Sequence, residues 1–174
     1  MGALISAGMA VESPRMVSRV ALLNGVFRRS DTARQAVVAR AEQIRAGHVN
    51  PQAPLDRWFS GAPKDIQTRA QVAGWLSEVS LEGYAAAYSA FATGDAIYAD
   101  RLAQIDCPFL ALTADGDPNS TPAMSNAMAQ LARKSTAVTI AGHRHMVNLT
   151  APEEVNTHLT AWMQTAVPKE SIAT

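Results

Sequence analysis

Two short polar segments of the sequence carry carboxylate and histidine side chains directly after strand-like apolar runs. Asp115 and Asp117 follow the first run, and His143 and His145 follow the second. Ligands of parallel α/β sheets gather at the carboxyl ends of the strands, so the two segments are expected at one edge of a sheet. A carboxylate there can fix the tautomer of an imidazole, which then serves as a general base. The spacing indicates an acid–histidine pair that activates a nucleophile.

Other interpretations of these segments stay open. Taken singly, Asp117 caps the turn or helix that follows it, and a histidine simply lies in a loop. The pattern Asp115-x-Asp117 with His143-x-His145 also suits a metal site, because alternate residues of an extended strand point the same way. No third histidine stands at ligand spacing. We therefore expect no metal and no other cofactor, with a metal-dependent hydrolase as the alternative.

No serine or cysteine of the sequence stands out as a nucleophile for this pair. Ser6, Ser13 and Ser18 lack a frame of glycines around them. Cys107 opens the run whose far end carries Asp117, which places its thiol about 20 Å from the acid at ~3.3 Å per strand residue. Cys107 is expected to be a small buried apolar residue.

The elements that must position these side chains alternate along the chain. Apolar periodicity and end signals predict the helices, and short β-branched or apolar runs predict the strands. Helices are expected at residues 1–11, 32–44, 64–79, 81–93, 122–132 and 152–165, and strands at 17–23, 108–113 and 136–140. This order implies an α/β fold, a parallel sheet with covering helices.

Composition predicts a chain that buries a core and has no strong overall field. The 174 residues are 48% hydrophobic and 17% charged, and 15 basic residues balance 15 acidic ones. This balance argues against nucleic acid or an anionic membrane as a partner. No apolar run approaches the ~20 residues of a membrane span. The single cysteine excludes an internal disulfide and is typical of a reducing compartment, so a cytoplasmic location is expected.

The opening segment MGALISAGMA is small and apolar. A secretory signal needs a basic residue before its apolar part, whereas the first basic residue here is Arg15. Residues 1–6 match the N-myristoylation pattern, but no basic patch supplies a second membrane signal. Both targeting interpretations are disfavoured, and a helix packed on several sides is expected instead.

Two segments of the sequence resemble the C-terminal half of the α/β-hydrolase family. Residues 105–117, IDCPFLALTADGD, are similar to the strand and acid loop of that family. Residues 142–146, GHRHM, with the helix start at 152–156, PEEVN, are similar to its catalytic-histidine segment. The resemblance implies the C-terminal portion of an α/β-hydrolase parallel sheet with a helical lid insertion. Its parts would be a core at 1–28 and 99–174 and a lid at 29–98.

The resemblance also offers an explanation of the opening segment. The nucleophile of the family lies in G-x-S-x-G, ahead of a small apolar helix. Gly2 would be the last glycine of that motif and Met1 the residue after its serine. On this interpretation the sequence starts just after the nucleophile, and Met1 is the oxyanion donor. The chain alone is then expected to be inactive, and to form a homodimer, associate with an N-terminal half, or aggregate. A catalytically silent interaction module is a further alternative to the hydrolase.

The resemblance assigns the remaining roles in the same way. His145 would be the base and Asp117 the acid that orients it, with Asp115 as the alternative acid and His143 as a structural or exposed neighbour. In the lid, Arg57 would attract a substrate carboxylate and Trp58 would wall the pocket, although both also suit an ordinary packing cluster. The insertion is similar to the lids of 3-oxoadipate enol-lactonases, which implies a small carboxylic ester or lactone as substrate. General esterases and C–C hydrolases with similar lids stay open as alternatives.

Overall fold

The computed structural model describes residues 1–167, in which eight α-helices surround three β-strands. The strands are β1 (Val20–Leu23), β2 (Phe109–Ala114) and β3 (Ser135–Ile140). The helices are α1 (Gly2–Glu12), α2 (Asp31–Arg45), α3 (Gln52–Trp58), α4 (Ile66–Ser77), α5 (Leu81–Gly94), α6 (Pro122–Leu131), α7 (Val147–Thr150) and α8 (Pro152–Met163). The last part of the predicted core, residues 168–174, lies outside the described residues.

The strands form one parallel sheet in the order β1-β2-β3. Val20 lies opposite Phe109, and Phe109 lies opposite Ser135. The predicted parallel pairing of the second and third strands is thus confirmed, together with the α/β fold class. All three carboxyl ends point to the same edge of the sheet.

Strand β2 is buried along its whole length because helices cover both faces of the sheet. Phe109 and Ala111 pack on one side, in a cluster that includes residues of α1 and α6. Leu110, Leu112 and Ala114 alternate to the other side, against residues of α7 and α8. This explains why the run is apolar at nearly every position instead of alternating with polar residues.

Helix α1 is shifted by one residue from the predicted range 1–11, and it is not covered on every side. Ala7 and Ala10 are buried against the sheet, and a β-carbon on Gly8 would stand 2.7 Å from the Tyr98 ring, so the small residues permit close packing. Ile5 and Met9 remain 57% and 51% exposed. An exposed apolar face is compatible with association through α1. The expected homodimer or N-terminal partner stays a prediction.

A helical segment, α2 to α5, is inserted between β1 and β2. The hydroxyls of Ser30 and Ser80 cap α2 and α5 by accepting from the backbone N–H of Ala33 and Gly83, at 3.3 Å each. Helix α3 was not predicted, because Pro54 within it suggests a loop. Proline is tolerated there since the first turn of a helix has no internal N–H bonds to lose.

The two ends of the helical segment are tied together by a buried carboxylate. Asp95 accepts hydrogen bonds from the backbone N–H of Arg29 at 2.6 Å and from the Arg34 guanidinium at 2.6 Å. The side chain of Arg29 is itself buried and lies 4.2 Å from the centre of the Phe91 ring. Paired charges at this depth hold the start of α2 against the end of α5.

Within the described residues no helix is both long enough and apolar enough to cross a membrane.

Candidate active site

The acid and histidine segments meet at the carboxyl edge of the sheet. Gly116 makes this approach possible, because a β-carbon there would lie 2.7 Å from the carbonyl oxygen of His143. The same two residues form a backbone hydrogen bond of 3.0 Å from Gly116 N–H to His143 O. A side chain at position 116 would push the loop after β2 away from the loop after β3.

Asp117 and His145 are brought together by these two loops. Nδ1 of His145 lies 2.8 Å from Oδ2 of Asp117. The Asp117 side chain is fully buried, while the His145 side chain keeps 23% of its surface exposed. A buried carboxylate that accepts from Nδ1 leaves the proton on that nitrogen and frees the lone pair of Nε2. The imidazole can therefore act as a base through Nε2, on the partly exposed side of the ring.

Four donors surround the carboxylate of Asp117. Oδ1 accepts from the backbone N–H groups of Asn119 at 2.8 Å and Ser120 at 3.1 Å. Oδ2 accepts from Nδ2 of Asn24 at 2.9 Å in addition to His145. Burial acts to raise the pKa of Asp117, but the hydrogen bonds and charge of His145, with those from Asn24 and Asn119, hold the pKa below its ordinary value. The carboxylate therefore stays ionised.

The neighbouring acid and histidine make other contacts. Nδ1 of His143 lies 2.7 Å from the Thr150 hydroxyl, and its Nε2 lies 3.5 Å from Nζ of Lys64. Oδ1 of Asp115 accepts from the backbone N–H of Gly142 at 2.9 Å. Both side chains hold the loops together instead of facing each other.

His145 opens onto a cavity of about 190 Å³ between the sheet edge and the helical segment. All the side chains that the sequence proposed for the site, apart from the buried acid, line this cavity. The lining consists of Met1, Arg57, Trp58, Tyr84, Ala87, Tyr88, Phe91, Asn119 and His145. The cavity is therefore mostly aromatic and apolar, with few polar groups, as small-molecule sites usually are.

Trp58 is held over the histidine by the end of α3. Its indole is stacked on the His145 ring with centroids 5.8 Å apart and an interplanar angle of 26°. The guanidinium of Arg144 donates to the carbonyl oxygens of Asp56 at 3.0 Å and Phe59 at 3.1 Å. A cation at a helix C-terminus satisfies carbonyls left free by the last turn, which fastens α3 to the histidine loop.

Arg57 brings a positive charge to the cavity. Burial, and then the charge of Arg40, lower the pKa of Arg57 from its ordinary value, although a guanidinium stays charged at neutral pH. The adjacent Asp56 carboxylate is paired with Arg69 at 2.7 Å. None of the ion pairs formed among residues 1–167 includes Arg57. Its charge is thus available to an anion.

Met1 also lines the cavity, at the point where α1 begins. No side chain caps the first turn of α1, so its first backbone N–H groups lack a side-chain acceptor. Burial, and then the positive charge of Arg29, lower the pKa of the Met1 amino group. The free backbone N–H groups make the start of α1 suitable for an anionic or polarised oxygen, whereas the lower pKa reduces the positive charge of the amino group itself.

The alternative chemistries lack a matching arrangement in the part of the chain that the structure describes. No group of three His, Cys, Asp or Glu side chains in residues 1–167 is placed to hold a metal ion. Burial raises the pKa of the Cys107 thiol, which packs against the core. The buried Ser120 hydroxyl donates to the Asn24 carbonyl at 2.7 Å, away from His145. No described hydroxyl or thiol forms a hydrogen bond with His145.

Fold and sequence agree on the class of protein. The chain belongs to the α/β hydrolase family, whose family model matches residues 1–158. It is 47% identical over 165 residues to the (E)-2-((N-methylformamido)methylene)succinate hydrolase of Acinetobacter baylyi. That match covers 95% of this chain and 63% of the relative, so the chain spans less than two thirds of the relative's length.

Solved structures support the same fold. The enol-lactonase of Burkholderia xenovorans LB400 superimposes with a TM-score of 0.83 at 23% identity, over 94% of this chain and 62% of that one. A thermophilic esterase of Thermogutta terrifontis, with malate bound, gives a TM-score of 0.76 at 21% identity, over 94% and 61%. At these identities the likeness concerns the fold alone.

Sequence reasoning missed Asn24. The pair Asn24-Gly25 after an apolar run reads as a turn, and 93 positions separate Asn24 from the acid that it contacts. Only the register of β1 against β2 brings the two together. With Asp117 as the proposed acid, the signal in the sequence that points to Asn24 is a polar residue at the end of a neighbouring strand.

Proposed function

We propose that this chain forms the acid–base half and the substrate pocket of a serine hydrolase. His145 is the general base, Asp117 orients it, and a nucleophilic hydroxyl is delivered at the N-terminal end of α1. The observation that carries the proposal is the 2.8 Å contact between a fully buried carboxylate and an imidazole that opens onto a cavity. An ionised acid and a partly exposed imidazole are the arrangement that general-base catalysis needs.

In this mechanism His145 takes the proton of the attacking serine hydroxyl at Nε2, and the hydroxyl oxygen bonds to the acyl carbon of the substrate. The bond between the acyl carbon and the leaving group then breaks, and His145 gives its proton to that group. A water molecule, activated in the same way, attacks the acyl-enzyme, which releases the acid and restores the serine hydroxyl. The backbone nitrogen of Met1 stabilises the oxyanion from the first turn of α1. Asp117 remains ionised and stabilises the imidazolium.

The substrate that we propose is a small acyl compound with at least one carboxylate. Support comes from the unpaired charge of Arg57 in an otherwise apolar cavity of about 190 Å³. Support also comes from the relative at 47% identity, which hydrolyses a substituted succinate, a dicarboxylate. A carboxylated ester or lactone, including 3-oxoadipate enol-lactone, and a methylenesuccinate of that kind all satisfy this description. Residues 29–98 act as the lid that selects among them.

The test supplies the nucleophile. The residues of the Acinetobacter hydrolase that lie outside the matched region are joined to the N-terminus of this chain, and hydrolysis is measured with three substrates. These are (E)-2-((N-methylformamido)methylene)succinate, a carboxylated enol-lactone and a neutral activated ester. The chain alone is expected to show only background hydrolysis, and the joined protein is expected to be active on at least one carboxylated substrate.

The matched controls are the added segment alone and the joined protein with His145→Gln, both of which should be inactive. A folded joined protein whose activity survives His145→Gln overturns the proposal. A folded but inactive joined protein favours a silent interaction module, and metal-dependent hydrolysis by the chain alone favours the metal alternative.

A further inference from the structure

Asn24 occupies the end of β1 in a backbone conformation that few residues adopt. Its φ angle is +50°, in the left-handed region where Asn is one of the tolerated side chains. Its N–H donates to the carbonyl of Leu112 at 2.8 Å, and its carbonyl accepts from the Ser120 hydroxyl at 2.7 Å. The backbone is thus held on both sides, which aims the side chain across the end of β2.

The Asn24 amide reaches the same carboxylate oxygen as the histidine. Nδ2 donates to Oδ2 of Asp117 at 2.9 Å and lies 3.4 Å from the Thr113 hydroxyl. Thr113 in turn donates to the carbonyl of Ser120 at 2.6 Å, and Ser120 N–H donates to Oδ1 of Asp117. Asn24, Thr113, Ser120 and Asp117 therefore form a closed ring of hydrogen bonds beneath His145.

We propose that Asn24 is a positioning residue, which keeps Oδ2 of Asp117 turned toward Nδ1 of His145 and keeps the carboxylate in its charged form. This inference rests on the proposed acid–base pair. Two backbone N–H groups hold Oδ1, and rotation about the last side-chain bond of Asp117 would move both oxygens, so donors at Oδ2 are needed to keep the carboxylate in this orientation. Asn24 is one of these donors and contacts the same oxygen as the imidazole.

The chemistry of an amide suits this position. The NH₂ group of Asn donates only, so at this oxygen it favours an ionised carboxylate. An aspartate of the same shape would set a second negative charge beside the first, and two carboxylates that share a site cannot both ionise easily. A glycine would adopt the same backbone conformation but would lack the side-chain N–H that donates to Asp117.

The experiment measures titration in the isotopically labelled 174-residue chain by NMR. The carboxyl carbon signals report the pKa of Asp117, and the ring nitrogen signals of His145 report which nitrogen carries the proton. Asn24→Gly is expected to raise the pKa of Asp117 by about one and to lower the share of the Nδ1–H tautomer. Asn24→Asp is expected to make one carboxyl group titrate well above the ordinary Asp range.

Asn126→Gly is the matched control. Asn126 is exposed in α6, so its replacement weakens a helix without touching the ring of hydrogen bonds, and both signals should keep their wild-type values. If Asn24 served only the turn, Asn24→Gly would behave like this control, and the inference would be overturned. Should Asn24→Gly not fold, an ordinary carboxyl titration in Asn24→Asp would overturn it equally well.

The same spectra separate this inference from the function on which it rests. If His145 in the wild-type chain were protonated at Nε2 instead of Nδ1, the proposed acid–base pair itself would be contradicted. The wild-type chain could instead show the Nδ1–H tautomer and a low pKa of Asp117, with both values unchanged in the two Asn24 variants. That result would contradict only the role of Asn24.

Discussion

His145 and Arg57 line one cavity, yet the two regions that carry them are built differently. The sheet edge holds His145 through a fully buried carboxylate that accepts four hydrogen bonds. The helical segment holds Arg57 without an ion pair among the described residues and surrounds it with the rings of Tyr84 and Tyr88. The first arrangement restricts one geometry, whereas the second leaves a charge free to meet a ligand.

This difference corresponds to the two tasks of the proposed hydrolase. A base must keep one proton in one place, which requires saturated hydrogen bonds in loops that are anchored to rigid strands. A pocket must discriminate between molecules, which requires shape and an unsatisfied charge. We expect changes at the sheet edge to affect turnover, and changes in the helical segment to affect substrate binding.

The largest effect is expected from Asp117→Asn in the joined protein described above. An amide can donate to Nδ1 of His145 and so leaves the ring proton on Nε2, where the base should be. We expect kcat to fall on the order of ten-thousandfold, with KM little changed. Steady-state kinetics on the preferred substrate provides the measurement. A loss confined to KM would contradict the separation of the two regions.

A smaller and more selective effect is expected from Arg57→Met. The replacement keeps an apolar stem of similar length and removes the charge, so a substrate carboxylate loses a charge-assisted partner. We expect kcat/KM for carboxylated substrates to fall about 10- to 100-fold, which corresponds to hydrogen bonds to charged groups. A neutral ester is the internal control and should react as before. Equal losses on both substrates would make Arg57 a packing residue.

Much of the sheet edge could be predicted from the sequence because its signals are local. The runs that became β2 and β3 are short and apolar or β-branched, and Asp117 and His145 follow them directly. The parallel order follows from the alternation of helices and strands. The contact between the two side chains is then a consequence of the fold.

The helical segment was harder to predict because its signals conflict. Pro51 and Pro54 suggest a loop, but the side chain of Asn50 accepts from the backbone N–H of Gln52 at 3.0 Å and starts α3. The stacking of Trp58 on His145 depends on Arg144, which joins segments more than 80 positions apart. No local pattern contains such a contact, and the same holds for Asn24 beneath Asp117.

The pH dependence of the free energy of unfolding also distinguishes the sheet edge from the helical segment. In the unfolded chain Asp titrates near 3.8, whereas the hydrogen bonds of the folded state lower the pKa of Asp117. Its contribution to the free energy of unfolding is therefore complete above the unfolded value and is lost as the pH falls through the lower folded value. The guanidinium of Arg57 keeps its charge over this range.

Urea unfolding from about pH 7 down to about pH 3 measures this contribution. The difference in unfolding free energy between the wild type and Asp117→Asn is expected to shrink toward the acid end. The difference between the wild type and Arg57→Met should stay constant. A constant difference for Asp117→Asn would mean that the carboxylate gains nothing from its four donors.

The smallest effect is expected at the cap of α5, the helix that carries Tyr84 and Tyr88 to the cavity. The Ser80 hydroxyl accepts from the Gly83 N–H at 3.3 Å in an exposed position. Ser80→Ala removes this acceptor and should lower the free energy of unfolding by about 1 kcal/mol, while Ser80→Asp keeps an acceptor and should restore it.

The informative readout for Ser80→Ala is hydrogen exchange, which reports opening at single amides. Exchange should accelerate in the first turns of α5, while the amides of Asn119 and Ser120 that hold Asp117 should exchange as in the wild type. This outcome is expected because the sheet edge is fixed by its own strands, and no hydrogen bond joins it to α5 among the described residues. If the amides of Asn119 and Ser120 accelerate together with those of α5, the two regions open as one unit, and a substrate that rigidifies the helical segment would then also act on the acid–base pair.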